Sequence, residues 1–567
     1  MKYISRVKSL INFNERVLFE GKVTKKLYST KDLYNKLFFN SIFISNMEEV
    51  FMKYTEDNIN IIKNNYLNDL KIYNNNIKSI IKYLETTLNT QINLKKYKLL
   101  SQNDFKVFNF NEDLFKNGTI YYVTLTENND FIVNYLKEPD QLIKNSKNFF
   151  NLDLATKKSL DKIFKGKTIS FKVTYSDRTK EISKIEFDQF STEFKEFTKL
   201  ILNPDSLIII NPWINLRKLT KFVSKFIESE PIKQKFVDLS PEKIFKKDYL
   251  IQFPEVSFDS YLEFLRKCIR NKDCLIIFMT IYRIGESSII LEILSEAVKR
   301  GVKVLVNIEL DAYGEKINIE WKNKFEKAGI KVYTYGKDQF KIHSKITFVK
   351  FNNGQMISQI GTGNYHTETT KQYTDMMLFT SVESIGISII KLIRLIMRKE
   401  IKIQTGSKIL ITRHNFKEEF FKQINNQIKL KEKGLIIFKG NSFDDYGIFS
   451  KIKEALEVGV KVYLIIRGPC TLVTEKSYPN LVIKSLVWDK LEHSRVYWFG
   501  RNSSNCYIGS LDLITNKIDK RIETLIKITD SEIKDSISNY LLSYIIDTER
   551  SWFVNQEGKY FKYLEKK

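Results

Sequence analysis

Apolar residues in the first 100 positions fall at helical spacing. Over Leu33 to Tyr54 and Ile59 to Leu88 they recur every three or four residues among Asn, Lys and Glu, which predicts amphipathic helices. From 101 to 245 the period shortens. Runs such as Thr119-Ile-Tyr-Tyr-Val-Thr-Leu125 and Thr168-Ile-Ser-Phe-Lys-Val-Thr174 read as strands between polar turns, with a helix over Ser191 to Leu202. From about 246 strand and helix patterns alternate. Cys274 to Tyr282 reads as a strand, Ser287 to Arg300 as a helix stopped at Gly301, and Val302 to Leu310 as a strand. Ile319 to Ala328 reads as a helix, with further strands over Ile330 to Tyr335 and Ile342 to Phe351. Alternation of this kind predicts mainly parallel sheets covered by helices.

The same unit occurs twice. Strand Gly434 to Lys439, helix Tyr446 to Val458 and strand Val460 to Arg467 repeat the first copy. Glu296-Ala-Val-Lys-Arg-Gly301 matches Glu454-Ala-Leu-Glu-Val-Gly459. His343-Ser-Lys345 matches His493-Ser-Arg495, and Ile360-Gly-Thr-Gly-Asn364 matches Ile508-Gly-Ser-Leu-Asp512. The offsets of 158, 150 and 148 residues keep the copies nearly in register. A duplicated α/β unit packed about a pseudo-two-fold axis would bring both histidines into one cleft. The pattern divides the chain into a helical amino-terminal domain (1–100), a mixed α+β head (101–245) and two α/β domains (246–405 and 406–567).

Composition narrows the chemistry. Hydrophobic residues at 43% and aromatics at 13% support packed cores rather than disorder. The net charge of +25 points to a polyanionic partner: nucleic acid, anionic membrane or a phosphate polymer. Four cysteines without zinc spacing fit a reducing compartment. The amino terminus lacks a signal-peptide pattern, and no apolar run approaches the ~18 residues of a spanning helix. These features predict a cytoplasmic protein, with peripheral membrane contact allowed.

In Lys341-Ile-His-Ser-Lys345 a strand would place Lys341, His343 and Lys345 on one face. A neutral imidazole attacks phosphorus well, and flanking ammonium groups would neutralise incoming phosphate. Only four histidines occur, and two occupy matching positions of the repeat. Arg283 and Arg467 fall at strand ends, where a phosphate clamp belongs. Glu523 has two readings: it orients an imidazole, or it pairs with Arg521.

These residues carry a resemblance. The chain resembles the first family of polyphosphate kinases, ATP-dependent synthases that work through a phosphohistidine. Phe13-Asn-Glu-Arg-Val-Leu18 and Ser45-Asn-Met-Glu-Glu49 are similar to its amino-terminal helical domain. Ser257-Phe-Asp259, Tyr282-Arg283, Asn318-Ile-Glu-Trp321, Lys341-Ile-His-Ser-Lys345, Gly361-Thr-Gly-Asn-Tyr365 and Tyr373-Thr-Asp375 are similar to its first catalytic domain. Lys439-Gly-Asn-Ser442, Arg467-Gly468, Leu491-Glu-His-Ser-Arg495, Ser510-Leu-Asp512 and Asn516 to Glu523 are similar to its second.

The resemblance implies an α/β multidomain fold ending in two tandem phospholipase D-like domains. It makes His343 the phosphorylated nucleophile and Asn46, Tyr373, Arg467 and His493 nucleotide contacts. Arg283 falls on the phosphate side of a magnesium-phosphate complex, and Mg²⁺ is the expected cofactor, with no direct protein ligand assigned. Lys345 supplies charge, and His493 acts as an acid or a second phosphate contact. ATP, ADP and polyphosphate are the expected partners; a homo-oligomer is expected and nucleic acid is not. Four features depart from the family. The loop Asp311-Ala-Tyr-Gly-Glu315 lacks a second arginine near Tyr313, Phe278 replaces a lysine, Gln252-Phe253 replaces paired histidines, and the head region is shortened.

Two rival readings remain. A phospholipase D-like phosphodiesterase would carry H-x-K, four residues, then Asp. Here Lys350 and Gly500 hold the Asp positions, and Arg495 replaces the second Lys. A non-catalytic polyanion-binding protein would leave the paired histidines without a role.

Overall fold

The computed structural model describes scattered positions up to 79 (2, 3, 9, 12–14, 16, 17, 20, 36, 40, 43, 72, 73, 75, 76 and 79). Beyond them it describes 102–109, 115, 119–137, 150–175, 182–188, 192–201, 207–210, 234–282, 289–310, 315–334, 341–397, 408–473, 478–486, 490, 491–501, 505–555 and 557–562. The chain divides into two compact units, 10–230 and 1–9 with 231–567.

In the smaller unit the described positions from 12 to 79 are helical, matching the amphipathic pattern. The buried rings of Phe43 and Tyr73 lie 5.6 Å apart. The head is a six-stranded sheet. Its order is Phe105–Val107, Phe131–Leu136, Ile120–Thr126, Gly166–Tyr175, Ile182–Phe187, Leu207–Ile210. Its core is aromatic, built on Tyr121, Phe171, Phe187, Phe194 and Phe197. The helix expected over Ser191 to Leu202 is a short turn, Thr192–Phe194, followed by the helix Lys195–Ile201.

The larger unit holds two sheets with one topology. In the first, Lys331–Tyr333, Lys303–Ile308 and Cys274–Ile281 run parallel. Ile346–Phe351, Met356–Gly361, Tyr373–Thr380 and Tyr249–Phe253 then follow, each antiparallel to its neighbour. In the second, Leu481–Leu486, Lys461–Ile466 and Leu435–Gly440 run parallel. Val496–Phe499, Asn505–Gly509, Thr524–Ile528 and Ile409–Ile411 follow, again antiparallel. The expectation of mainly parallel sheets is therefore corrected to mixed ones. Helical crossovers such as Ile289–Lys299 and Tyr446–Glu457 join the parallel strands. The turn at 352–355 is too short for a crossover and forces a hairpin. The helix stops hold: Gly301 and Gly459 adopt φ of +85° and +94°.

Strand alternation decides how the domains meet. Ile277, Met279 and Ile281 face a core under the helices of the first domain, whereas Phe278 faces the opposite way. That second face joins Ile346, Phe348 and Ile360 to Ile437, Ile465, Trp498 and Ile526 of the other sheet in one buried cluster. The duplicated sheets thus pack face to face.

Candidate active site

Each histidine sits just before the first antiparallel strand of its domain, where the chain leaves its own sheet to pair with the other domain. Lys341–Ile342 runs parallel to Arg521–Ile522, and Tyr373–Thr374 runs parallel to Leu491–Glu492. The backbone N–H of His343 donates to Ile522 O at 3.0 Å, and that of Ser494 donates to Thr374 O at 2.8 Å. These contacts correct the expected strand through His343. Residues 343–345 are not in a strand, and the His343 N–H bonds to the partner domain instead of continuing the ladder. Lys341, His343 and Lys345 therefore do not share a strand face. Lys345 folds back, and its Nζ donates to His343 O at 2.5 Å.

His343 Nδ1 lies 2.9 Å from Glu523 Oε2. The carboxylate accepts, so Nδ1 carries the proton and Nε2 keeps its lone pair. Both readings of Glu523 find a contact: its Oε2 meets His343, and Arg521 Nη1 lies more distant, at 3.9 Å from Oε1. The ring of Tyr282 meets the imidazole edge-on at 4.6 Å. Burial pushes His343 down to about 3, against the opposing pull of Glu523, and Lys345 adds to the fall. Burial also works against the Glu523 carboxylate, but His343, Lys345 and Arg521 outweigh it and hold it at about 2. The pair is a neutral imidazole on an ionised carboxylate.

The second histidine repeats this with a residue that motif reading passed over. His493 Nδ1 lies 2.8 Å from Asp375 Oδ2. Thr362 Oγ1 donates to Asp375 Oδ1 at 2.5 Å. Burial and Arg495 push His493 down to about 4 against Asp375. Gly363 lies so close that a Cβ there would collide with the Asp375 carboxylate, so the glycine admits the acid. A signal for Asp375 was present in the sequence, because it stands 148 residues before Glu523, the offset that also separates Asn364 from Asp512.

The cations gather around these pairs. Lys345 is 2% exposed. Burial, reinforced by Arg495 and Arg521 and opposed by Glu523, pushes it well below the ordinary lysine range. Its Nζ lies 5.2 Å from the Tyr282 ring centroid. Arg495 makes a fork on Asp512, Nε to Oδ1 and Nη2 to Oδ2, each at 3.1 Å. Its Nη1 reaches across to Thr362 O at 3.1 Å. Arg467 ends the strand Lys461–Ile466, and its charge acts on both Arg495 and His493. Tyr373 sets its ring 5.2 Å from that of His493. Arg283, Asn46 and the loop around Tyr313 lie outside the described residues.

Behind His493 lies a buried polar network. Lys439 Nζ meets Glu492 Oε2 at 3.0 Å and donates to Ser494 Oγ at 2.8 Å. Tyr544 and Thr374 also donate to Glu492 Oε2, at 2.7 and 2.8 Å. Each site carboxylate is thus committed: Glu523 to His343, Asp375 to His493, Asp512 to Arg495 and Lys517, and Glu492 to Lys439. Among the described residues no group of three or more His, Cys, Asp or Glu could hold a metal ion. The arrangement suits attack by a neutral nitrogen on an anion neutralised by buried cations.

Comparison with known proteins adds a family. Residues 3–107, 240–402 and 409–567 match, in turn, the models of the polyphosphate kinase N-terminal domain, C-terminal domain 1 and C-terminal domain 2. The polyphosphate kinase of Staphylococcus haemolyticus (strain JCSC1435) is 32% identical over 331 residues, 56% of this chain and 45% of that one. That of Helicobacter pylori (strain J99) is 31% identical over 327 residues, 57% and 48% of the two chains. The chain spans about half the length of the curated relatives it matches. The crystal structure of a polyphosphate kinase from Porphyromonas gingivalis superposes with a TM-score of 0.80, covering 99% of this chain and 96% of that one at 23% identity. That likeness is one of fold, and the fold is the α/β multidomain architecture described above.

Proposed function

This chain belongs to the polyphosphate kinase family, and from that premise we propose that it transfers the γ-phosphoryl group of ATP reversibly to His343 and then to the end of a polyphosphate chain. The observation that carries the proposal is the buried, neutral His343 with its Nδ1 proton committed to Glu523. A lone pair on Nε2 attacks the γ-phosphorus. The P–N bond forms as the bond to the β–γ bridging oxygen breaks, and ADP leaves with that electron pair. In the second step a terminal phosphate oxygen of the polymer attacks, and the electron pair returns to Nε2. The proton stays on Nδ1, hydrogen-bonded to Glu523, throughout.

Phosphoryl transfer depends mostly on position and charge, because the transition state spreads negative charge over non-bridging oxygens. Lys345 is the cation nearest this task in the first half. Its burial disfavours the charged form, and an arriving phosphate favours it. Arg467 and Tyr373 border His493 and hold nucleotide phosphate and base, with Asn46 and Arg283 assigned to the same substrate by resemblance. His493 serves as acid or second phosphate contact. Magnesium enters as part of the substrate, MgATP, and neutralises its phosphates. The net charge of +25 gathers the polymer. Four buried, unpaired cysteines support a reducing, cytoplasmic setting.

Incubation with γ-labelled ATP, with and without polyphosphate, tests the reading. Label should attach to the protein through an acid-labile, alkali-stable bond and chase into polymer, and His343→Ala should remove it. Undiminished labelling of that variant moves the nucleophile elsewhere.

A further inference from the structure

The two half-sites match hydrogen bond by hydrogen bond. Gly361 N donates to Lys345 O at 2.9 Å, and Gly509 N to Arg495 O at 3.4 Å. Thr362 N donates to Met376 O at 2.9 Å, and Ser510 N to Thr524 O at 2.9 Å. In return Met376 N donates to Thr362 Oγ1 at 3.0 Å, and Thr524 N to Ser510 Oγ at 3.1 Å. This register makes Lys345 the counterpart of Arg495 and Asn364 the counterpart of Asp512.

At these positions the symmetry breaks in charge. Asp512 is 1% exposed and takes the fork of Arg495 and, at 2.7 Å, Lys517. The guanidinium of the second half is therefore already neutralised. Asn364 brings no charge, and its buried Oδ1 has no hydrogen-bond partner among the described residues. Lys345 is held by the carbonyl of His343 rather than by a carboxylate. Two buried cations two residues beyond two equivalent histidines thus differ in whether a carboxylate is hydrogen-bonded to them.

We propose that Asn364 and Asp512 decide which histidine accepts the phosphoryl group: the neutral amide leaves Lys345 to the incoming phosphate, so His343 is phosphorylated, whereas the aspartate satisfies Arg495, so His493 is not. The inference rests on the kinase reading above and deepens it. Both are positioning residues, acting through the cations. A carboxylate at 364, placed as Asp512 is placed in the other half, would repel the transferring group and hold the ammonium that should stabilise it. A carboxylate beside Arg495 lets that arginine brace His493 through the backbone carbonyl, 2.7 Å from Nη1, without presenting a net charge. Each imidazole is buried and held by a carboxylate of the opposite domain, and the halves differ in the cation: Arg495 Nη1 also lies 3.2 Å from His493 Nε2, whereas Lys345 Nζ turns to the His343 carbonyl.

The test locates the label on the full chain, using γ-labelled ATP and peptide mass spectrometry under alkaline conditions. Wild type should carry it on His343. Asn364→Asp should slow labelling of His343 by about tenfold or more, and Asn364→Leu, uncharged and similar in size, should slow it less. Asp512→Asn combined with His343→Ala should place label on His493, where His343→Ala alone places none. Because Asp512→Asn strips a buried guanidinium of its carboxylate, the double exchange Asn364→Asp/Asp512→Asn is made in parallel. It preserves the number of carboxylates and should shift label from His343 to His493. Thermal melts establish which variants fold, and if neither Asp512 variant folds the Asn364 comparison decides. Wild-type labelling in Asn364→Asp overturns the inference alone, as does absence of label from His493 in folded Asp512 variants. Wild type without histidine label overturns the kinase reading, and this inference with it.

Discussion

Asp375 is the structural counterpart of Glu523. Each follows directly on a residue whose carbonyl accepts from the other domain's histidine loop, and each holds that domain's imidazole at Nδ1, at 2.8 and 2.9 Å. The pairing is reciprocal, so neither domain contains a complete half-site.

That reciprocity predicts different consequences for two similar changes. Glu523→Gln should slow labelling of His343 by ~10²–10⁴-fold, the usual cost of losing a positioned acid–base partner. Asp375→Asn should slow polymer formation while leaving first-step labelling much less affected. Rapid-quench measurement of protein-bound label beside steady-state turnover separates the steps, and equal losses of labelling in both variants would contradict the division of labour.

The depressed imidazoles predict an unusual pH profile. An exposed histidine loses nucleophilicity near its ordinary value of 6.5, whereas His343, facing Glu523, Lys345, Arg521 and Tyr282, stays neutral down to about 3. Single-turnover labelling should therefore show no inflection near 6.5. Stability has the opposite dependence on the same shift. Below 6.5 the unfolded chain binds protons on these histidines that the folded chain refuses, so stability is lost as pH falls toward about 4 for His493 and about 3 for His343. Glu523, held at about 2, adds to the loss below its ordinary 4.5. A midpoint in labelling near 6.5 would show that His343 is hydrated and unpaired in solution.

The network behind His493 should be costly to break. Lys439 is 2% exposed, and its removal leaves the Glu492 carboxylate with hydrogen bonds from Tyr544 and Thr374 among the described residues. Lys439→Met should destabilise the chain by about 3–5 kcal/mol. Denaturant titration measures it. A change under about 1 kcal/mol would mean that water replaces the ammonium and that the pair is structurally dispensable.

Gly363→Ala offers a steric test of Asp375. A Cβ at 363 meets the carboxylate, which must swing away from His493. Polymer formation should fall by about tenfold or more, with the melting temperature changed little beside the Lys439 variant. Retention of full turnover would place the catalytically relevant Asp375 rotamer elsewhere.

The linear pattern alone determined a good deal of this protein. Period and cap signals located the strands and helices of the repeated unit, such as Cys274–Ile281, Ile289–Lys299, Lys303–Ile308, Leu435–Gly440, Tyr446–Glu457 and Lys461–Ile466, to within a few residues, because local sterics and amphipathic burial decide those elements. The repeat located both histidines, Arg467 and the loops at Asn364 and Asp512. Hydropathy could not determine strand direction. Residues 346–380 and 496–528 are apolar whether parallel or antiparallel, and only loop length and sheet closure choose between them. Which carboxylate serves which histidine was not legible from any local pattern. His343 and Glu523 stand 180 residues apart, and His493 and Asp375 118 apart, so no local period links them. Tertiary structure alone decided those pairs, because the face-to-face packing of two apolar sheet surfaces brings each carboxylate under the imidazole of the opposite domain.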